Sequence, residues 1–388
     1  MIYMKKSLID FYSLTEEEQE SLTKKEMALY CGLTEEQIEA YFQEMEAKKI
    51  AEFLKSFRPL SKKQQDKLTI EELVKYKKQE RKFLLETQAK IKGKYFRKLT
   101  YPFIYAMIPT LHLYTKIKVN AEGKVPKTNR PIIFSVSHIG YYDVEVTLQV
   151  IKRQVYLLSD DEETMYRTFD GWYFDRTGVI YIDNDDKEDV NVAFKTAIKY
   201  LNQGLNVYWC PEGTWNLTPN TLILPLHIGI VRAALETNAL IVPISLDQKD
   251  KEKGANFDVK IGEAIDPRAI IKKESNFTLD DYKYLTNLLR DEMATLKYNC
   301  FEEVKREDYL TEYWQEFIRK RLAEWHDFYN LEIIKRRTYK PSDIVNEQDV
   351  FAHLNEIEIG PKNAFLARIK KQFNDDMDDI NKYYKGIK

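Results

Sequence analysis

The chain has 388 residues, which is more than one α/β domain needs, and 44% of them are hydrophobic, which is ample for a buried core. Its 60 basic residues nearly balance its 62 acidic residues. This balance argues against a large nucleic-acid-binding surface, so we expect no nucleic-acid partner. The three cysteines lie far apart and form no metal-binding or redox spacing, which suggests a reducing compartment.

The start of the chain and its longest apolar runs predict where the protein works. Polar, acidic sequence follows residues 1–7, so we expect no signal peptide. No apolar run reaches the roughly 18–20 residues that are needed to cross a bilayer. We therefore expect a cytoplasmic protein whose contact with membranes is peripheral.

Residues 1–60 have the pattern of short, charged helices. Thr34 and Gln37 form a capping-box pattern, which predicts a helix that begins after Thr34. Residues 23–47 also resemble a helix-turn-helix, but the second helix is acidic and nucleic-acid phosphates would repel it. We expect a small helical module that contacts a protein partner, followed by a linker at residues 57–61.

Residues 61–118 contain two different helical patterns. The first is a long charged helix at residues 70–94. The second, residues 99–115, has no charged residue and is rich in aromatic side chains, and Pro102 and Pro109 break it. Basic residues flank this run, and the combination suits the interface of a bilayer. The alternative is a helical segment that only packs against the rest of the protein.

From Ile132 onward, apolar strands alternate with helical patterns, the clearest of which covers residues 189–203. This alternation predicts an α/β domain over residues 119–270, with a mainly parallel sheet and helices on both faces. Residues 271–388 are charged and helical again, and we expect them to form a C-terminal helical extension. The predicted strands cover residues 132–136, 155–158, 179–182, 205–209, 240–245 and 259–261.

Two motifs with polar side chains each follow directly on a predicted strand. His138 and Asp143 follow the strand at residues 132–136, and Cys210-Pro-Glu-Gly-Thr214 follows the strand at residues 205–209. In an open α/β sheet, reactive groups collect beyond the carboxyl ends of the strands. A neutral histidine oriented by an aspartate is suited to take a proton from a hydroxyl. We therefore predict His138 as a general base and Asp143 as its partner.

Four blocks in order resemble the glycerolipid acyltransferases related to 1-acylglycerol-3-phosphate acyltransferase, over about residues 119–267. The resemblance implies an O-acyltransferase that moves a fatty acyl group from acyl-CoA or acyl-ACP to a hydroxyl of a lysophospholipid or glycolipid. It implies no bound cofactor or metal, and no enzyme nucleophile, because the deprotonated hydroxyl attacks the thioester directly. The blocks are His138 with Asp143, residues 178–183, residues 211–214 and residues 241–244, followed by a final strand at residues 259–265.

The chain departs from the family at two places that concern the acceptor. Asp183-Asn184 and Trp215-Asn216 stand where the family has arginines, which form a phosphate clamp there. Arg176 and Arg232 are nearby cations that could compensate. The resemblance implies that Glu212 shapes the acceptor site or organises its loop, and that backbone amides near Gly213 stabilise the oxyanion. The predicted substrate-binding residues are Glu212, Gly213, Thr214, Trp215, Asn216, Asp183 and Asn184.

Several alternatives remain open at this point. The acceptor could be a soluble sugar or polyol, or the protein could be a lipid-binding scaffold that has kept the fold and lost turnover. Cys210 could act as a covalent nucleophile, although a small buried residue is the simpler interpretation. The acidic run at residues 183–186 could bind a metal, although such runs usually form turns. His227 is a second-tier candidate, and Glu212 could simply cap a helix.

Overall fold

The computed structural model describes residues 27–28, 33–91, 93–115, 117–140, 142–160, 166, 168–216, 222–251 and 254–300. The chain divides into two compact units, with the boundary between Ala89 and Lys90. Most of the first half of the helix-turn-helix pattern, and the part of the C-terminal extension beyond residue 300, lie outside the described residues. The predicted division into four domains stays a prediction.

The first unit contains helices α1 (Glu35–Ser56), α2 (Lys62–Gln65) and α3 (Ile70–Glu86). The predicted capping box is confirmed at the start of α1. The Thr34 hydroxyl accepts a hydrogen bond from the Gln37 amide at 3.2 Å, and the Gln37 side chain accepts one from the Thr34 amide at 3.0 Å. These bonds satisfy two main-chain donors that a helix start would otherwise leave unpaired.

The predicted linker at residues 57–61 has no regular structure, but it is not a free connection. Phe57 is buried, and its ring stacks on Tyr76 with the ring centroids 5.8 Å apart. The charged helix is shorter than predicted, because α3 ends at Glu86. Gln88 then adopts a left-handed conformation with a φ of 51°, which a continuing helix does not allow.

The second unit contains a seven-stranded sheet. Its strands in chain order are β1 (Lys118–Glu122), β2 (Ile132–Val136), β3 (Val155–Asp160), β4 (Ile180–Ile182), β5 (Asn206–Trp209), β6 (Leu240–Lys251) and β7 (Gly254–Ile261). They lie in the order β1-β7-β6-β2-β5-β3-β4. The run from β6 to β4 is parallel throughout, β7 pairs antiparallel with β6, and β1 pairs parallel with β7. This arrangement confirms the predicted mainly parallel sheet.

Helices cover both faces of the sheet, as predicted, because alternate residues of a strand point to opposite faces. Among the described residues, the helices that follow β1 are α5 (Asp143–Ile151), α6 (Phe169–Thr177), α7 (Lys187–Asn202), α8 (Gly229–Thr237), α9 (Pro267–Ile271) and α10 (Leu279–Asn299). Ile133 of β2 joins a core with residues of α7, α8 and α10, whereas Ile132 and Phe134 join a second core with Val146 and Ile151 of α5.

Two features of the sheet were not predicted. β1 is a polar edge strand whose side chains are mostly exposed, so it carries no apolar run that would reveal it in the sequence. The antiparallel hairpin of β6 and β7 extends to the pair Lys251 and Gly254, beyond the apolar residues that mark each strand. Main-chain pairing with a neighbouring strand stabilises both β1 and the extended part of the hairpin.

Helix α4 (Lys94–Thr115) is continuous through Pro102 and Pro109, so the predicted break is wrong. A proline in a helix interior costs about 3 kcal/mol, and tertiary contacts must offset that cost. Arg97 supplies such contacts, because its buried side chain donates hydrogen bonds to the carbonyl oxygens of Val155 and Thr177. Among the described residues, no helix combines the length and apolar character that crossing a membrane requires.

Candidate active site

The site forms where the loops after β2 and β5 meet at the carboxyl end of the sheet. His138 follows β2, and its Nδ1 lies 2.9 Å from Oδ2 of Asp143, the first residue of α5. The same Oδ2 accepts hydrogen bonds from the amides of Ile139 at 2.5 Å and Gly140 at 2.8 Å. With Nδ1 donating to the carboxylate, Nε2 of His138 is the ring nitrogen that accepts a proton.

The burial of the two side chains fits this division of roles. The Asp143 side chain is 1% exposed, whereas the His138 side chain is 26% exposed. The carboxylate lies at the N-terminus of α5, where the helix dipole stabilises negative charge. Asp143 is therefore held in place, while the imidazole edge remains accessible to a substrate.

Ser137 fixes the end of β2 immediately before His138. Its amide donates to the carbonyl of Ile244 at 3.0 Å, and its hydroxyl accepts from the amide of Leu246 at 3.1 Å. Both partners belong to β6, the neighbouring parallel strand. The main chain thus reaches His138 in a defined direction.

Glu212 is fully buried and connects two loops through its carboxylate. Oε1 accepts a hydrogen bond from the amide of His138 at 3.0 Å, and Oε2 accepts one from the amide of Leu224 at 2.8 Å. Burial raises the pKa of Glu212 to about 7, against the opposing effects of these hydrogen bonds and of the Lys297 and Arg290 charges. This geometry supports the loop-organising role, and it does not support helix capping, because the next helix among the described residues begins at Gly229.

Gly213 occupies a position where a side chain would be strained. Its φ is +70°, and a Cβ atom there would lie 2.6 Å from Nε2 of His227. The Gly213 amide donates to the carbonyl of Cys210 at 3.1 Å, so this amide is already engaged within the turn. Burial lowers the pKa of His227, whose amide donates to the carbonyl of Pro211 at 2.9 Å.

The structure brings Trp215 and Asn216 directly against His138. The Trp215 and His138 ring centroids are 5.6 Å apart in an edge-on arrangement. The Asn216 amide donates to the His138 carbonyl at 2.8 Å, and its side chain donates to the carbonyl of Leu222 at 3.1 Å. Thr214, which precedes them, is partly buried in the same loop.

Asp183 and Asn184 lie elsewhere along the edge of the sheet. They follow β4, which is three strands away from β2 and thus roughly 14 Å away at the usual strand spacing. Oδ1 of Asp183 accepts from the amide of Asp185 at 2.9 Å, and the amide of Asp183 donates to Asp189 at 2.8 Å. This acidic run forms a turn that opens α7. No group of three or more potential metal ligands occurs among the described residues.

The proposed nucleophile Cys210 and the two proposed phosphate-binding arginines have contacts that do not favour these roles. Burial, and then the charges of Asp143 and Glu212, raise the pKa of Cys210 well above its usual value, which disfavours a nucleophilic thiolate. Arg232 pairs with Glu236 of its own helix at 2.7 Å. The Arg176 guanidinium lies 5.7 Å from the centre of the Trp172 ring, one turn back on α6.

Two features of the site were missed by the sequence analysis. One is residues 222–224, and the other is Arg290 of α10, whose Nε and Nη2 donate to the carbonyl of Ile223 at 2.9 and 2.8 Å. No spacing or motif links Arg290 to His138, because the connection is made through the main chain of a distant loop.

Comparison with known proteins shows what this segment of the chain is similar to. The family model described as Acyltransferase matches residues 116–247, a range that contains His138, Asp143 and Glu212. The predicted resemblance to glycerolipid acyltransferases is thereby confirmed over this segment of the chain.

Proteins that resemble the chain include a plant enzyme and a bacterial enzyme of known structure. The 1-acyl-sn-glycerol-3-phosphate acyltransferase LPAT1, chloroplastic, of Arabidopsis thaliana is 22% identical over 153 residues, which cover 39% of this chain and 42% of that protein. The chain thus matches about two fifths of the length of this curated relative. The crystal structure of the 1-acyl-sn-glycerophosphate acyltransferase PlsC from Thermotoga maritima superposes with a TM-score of 0.41 at 18% identity, covering 57% of this chain and 86% of that one.

Proposed function

We propose that this protein is an O-acyltransferase that moves a fatty acyl group from a thioester donor to a hydroxyl of a lysophospholipid or glycolipid. The observation that carries the proposal is the 2.9 Å contact between Nδ1 of His138 and Oδ2 of Asp143 within the segment that matches the acyltransferase family. A buried carboxylate that orients an accessible imidazole is an arrangement suited to general-base catalysis.

The chemistry needs no covalent enzyme intermediate. Nε2 of His138 takes the proton of the acceptor hydroxyl while the hydroxyl oxygen attacks the thioester carbonyl. The tetrahedral intermediate then collapses, the carbon–sulfur bond breaks, and the leaving thiolate takes the proton from the imidazolium. Asp143 stabilises the imidazolium between these steps. The raised pKa of Cys210 supports this direct route over one through a cysteine thioester.

The donor is acyl-CoA or acyl-ACP, since both present the same acyl thioester to the site. The protein itself supplies the base, so the proposed reaction uses no bound cofactor and no metal.

The acceptor is more specific to this chain. The Arabidopsis relative is named for a phosphomonoester acceptor, 1-acyl-sn-glycerol-3-phosphate. Here Trp215 and Asn216 lie against His138 where the family has an arginine, and Asn216 is committed to main-chain carbonyls. A phosphomonoester carries nearly two negative charges, which need cations in a partly dry site. We propose instead a lysophospholipid with a capped phosphate, or a glycolipid whose sugar ring packs on the indole.

The surface of α4 supports peripheral binding to a membrane. Tyr95, Leu99 and Phe103 are 86%, 71% and 75% exposed, and their four-residue spacing places them on one face of the helix. Arg97 and Tyr101, on the opposite face of the helix, are buried. Lys94 and Lys98 are exposed beside the apolar stripe and suit anionic headgroups. The side chains of the second half of α4 lie outside the described residues.

The apolar stripe extends onto α6. Trp172 is 46% exposed, and its ring meets that of Phe96 edge-on with the centroids 6.2 Å apart. Tryptophan is favoured at headgroup level because it combines an apolar ring with a polar N–H. We propose that this surface rests on the cytoplasmic face of a membrane that contains anionic lipid.

The function is tested with the purified full chain and a panel of donors and acceptors. Free thiol release is followed with acyl-CoA and acyl-ACP, alone and with lysophosphatidic acid, neutral or capped lysophospholipids and monoglycosyl lipids. Mass spectrometry then identifies the acylated product. The proposal expects thiol release that depends on a lipid acceptor. If thiol is released only with soluble sugars or polyols, the acceptor is such a compound and not a lipid. If the folded protein transfers the acyl group to no acceptor, a scaffolding role is favoured.

A further inference from the structure

The segment that matches the acyltransferase family ends at residue 247, but α10 (Leu279–Asn299) packs against β6 and reaches the loops of the site. We infer that α10 is a built-in support of the active site and that Arg290 is a positioning residue for His138. The inference rests on the proposed function only for its kinetic readout.

Arg290 holds the middle of a three-residue segment. Its Nε and Nη2 both donate to the carbonyl oxygen of Ile223, at 2.9 and 2.8 Å. On either side, the carbonyl of Leu222 accepts from the Asn216 side chain at 3.1 Å, and the amide of Leu224 donates to Glu212 at 2.8 Å. Each residue of the segment is therefore bound by a different side chain.

The other two residues whose side chains bind this segment also bind the peptide groups of His138. The main-chain N–H of Asn216 donates to the His138 carbonyl at 2.8 Å, and the Glu212 side chain accepts from the His138 amide at 3.0 Å. A shift of residues 222–224 would move Asn216 and Glu212, and these hold the main chain of His138 on both sides. Arg290 thus acts on His138 without touching it.

A second contact from α10 reaches the residue before His138. Lys297 donates to the carbonyl of Leu246 at 2.6 Å and to Asp247 at 2.8 Å, and both charged side chains are almost fully buried. The amide of Leu246 in turn donates to the hydroxyl of Ser137 at 3.1 Å. Lys297 lies seven residues after Arg290, so both project from the same side of the helix.

The guanidinium group is what makes Arg290 effective. Its planar fork presents two N–H donors to one carbonyl, whereas lysine offers a single flexible ammonium group. Misplacement of a reacting group by about 1 Å can reduce the rate 10²-fold. Arg290→Lys keeps the charge and removes the fork, so it should slow the reaction while the chain stays folded.

The chain contains a matched control. Nε and Nη2 of Arg268 donate to the carbonyl of Leu235 at 2.9 and 2.8 Å, which is the same contact at the end of α8. Arg268→Lys removes an equivalent fork without touching residues 222–224. Any effect that both variants share reports on general stability, and any effect confined to Arg290→Lys reports on the site.

The experiment compares wild type, Arg290→Lys and Arg268→Lys in the full chain. We expect Arg290→Lys to lower kcat at least tenfold with KM for the donor within threefold, and to shift the His138 ring signals in NMR spectra. Arg268→Lys should change neither, and the urea midpoints of the two variants should agree. Equal kcat and equal His138 signals in both variants would overturn the inference. If the wild type shows no acyl transfer, the proposed function fails, and the His138 signals alone decide the inference.

Discussion

The amide of His138 donates a hydrogen bond to Oε1 of Glu212 at 3.0 Å, across 74 residues of sequence. The acid of the Pro-Glu-Gly-Thr motif therefore holds the main chain of the residue that begins the other motif. Its second oxygen binds the amide of Leu224, so both oxygens of the buried carboxylate are directed at the protein itself. The two motifs act as one unit, in which Glu212 supports the loop that presents the imidazole.

The first prediction concerns the proposed base. His138→Ala should reduce acyl transfer by 10²–10⁴-fold or more, since the general base is lost while its surroundings remain. Asp143→Asn should cost less, because the base remains and only its orientation and charge stabilisation are disturbed. Steady-state kinetics with the best donor and acceptor measure both effects. A His138→Ala protein with near-normal turnover would exclude His138 as the base.

The second prediction concerns the dependence of stability on pH. Burial raises the pKa of Glu212 from 4.5 to about 7, so the folded protein binds its proton more tightly than the unfolded chain does. Stability should therefore fall as pH rises from about 4.5 to 7, with a contribution on the order of 3 kcal/mol from this group. Glu212→Gln, which has no titrating proton, should lack this contribution.

Urea unfolding of wild type and Glu212→Gln at pH 5 and pH 7.5 measures this difference. Burial also raises the pKa of Asp291, to about 6, but this group is present in both proteins and its contribution cancels. As pH rises from 5 to 7.5, the free energy of unfolding of wild type should fall relative to that of Glu212→Gln. Parallel pH profiles would show that the carboxyl of Glu212 titrates normally.

The third prediction concerns the acceptor. Wild type should use lysophosphatidic acid poorly beside a neutral or capped lysophospholipid in a competition assay with one donor. Trp215→Arg should raise kcat/KM for lysophosphatidic acid relative to the capped acceptor by about tenfold, because a guanidinium binds phosphate in a bidentate manner. Trp215→Gln, which removes the ring without adding a cation, is the control. If wild type already prefers lysophosphatidic acid, then Arg176, Arg232 or another cation binds the phosphate.

The fourth prediction concerns the membrane surface. Leu99→Ser with Phe103→Ser should release the protein from anionic liposomes, since each buried side chain contributes about 1.5–3 kcal/mol to partitioning. The matched control is Leu279→Ser with Tyr284→Ser on α10, two side chains that are 54% and 57% exposed. Co-sedimentation at several anionic lipid contents measures the partitioning. The idea fails if wild type never sediments with liposomes, or if both double variants lose binding equally.

Whether an element of this fold could be predicted from the sequence depends on how far along the chain its stabilising partners lie. All six strands predicted from residue 132 onward are present, and the helix predicted at residues 189–203 forms as α7 (Lys187–Asn202). Apolar runs and capping residues act within a few positions of the chain, so they are legible in the sequence. The polar strand β1 and the helix that continues through Pro102 and Pro109 depend on partners far away, and they were not predicted.

The same distinction applies to the site. The sequence by itself determined that His138 and Asp143 follow one strand and Glu212 another, because a buried strand and the turn after it are local features. The tertiary structure decided that β2 and β5 are neighbours, that Asp183 lies roughly 14 Å along the sheet edge, and that Arg290 reaches Ile223. Buried main-chain groups must find hydrogen-bond partners wherever the folded chain provides them. That requirement is met by residues distant in sequence, such as Glu212 and Arg290.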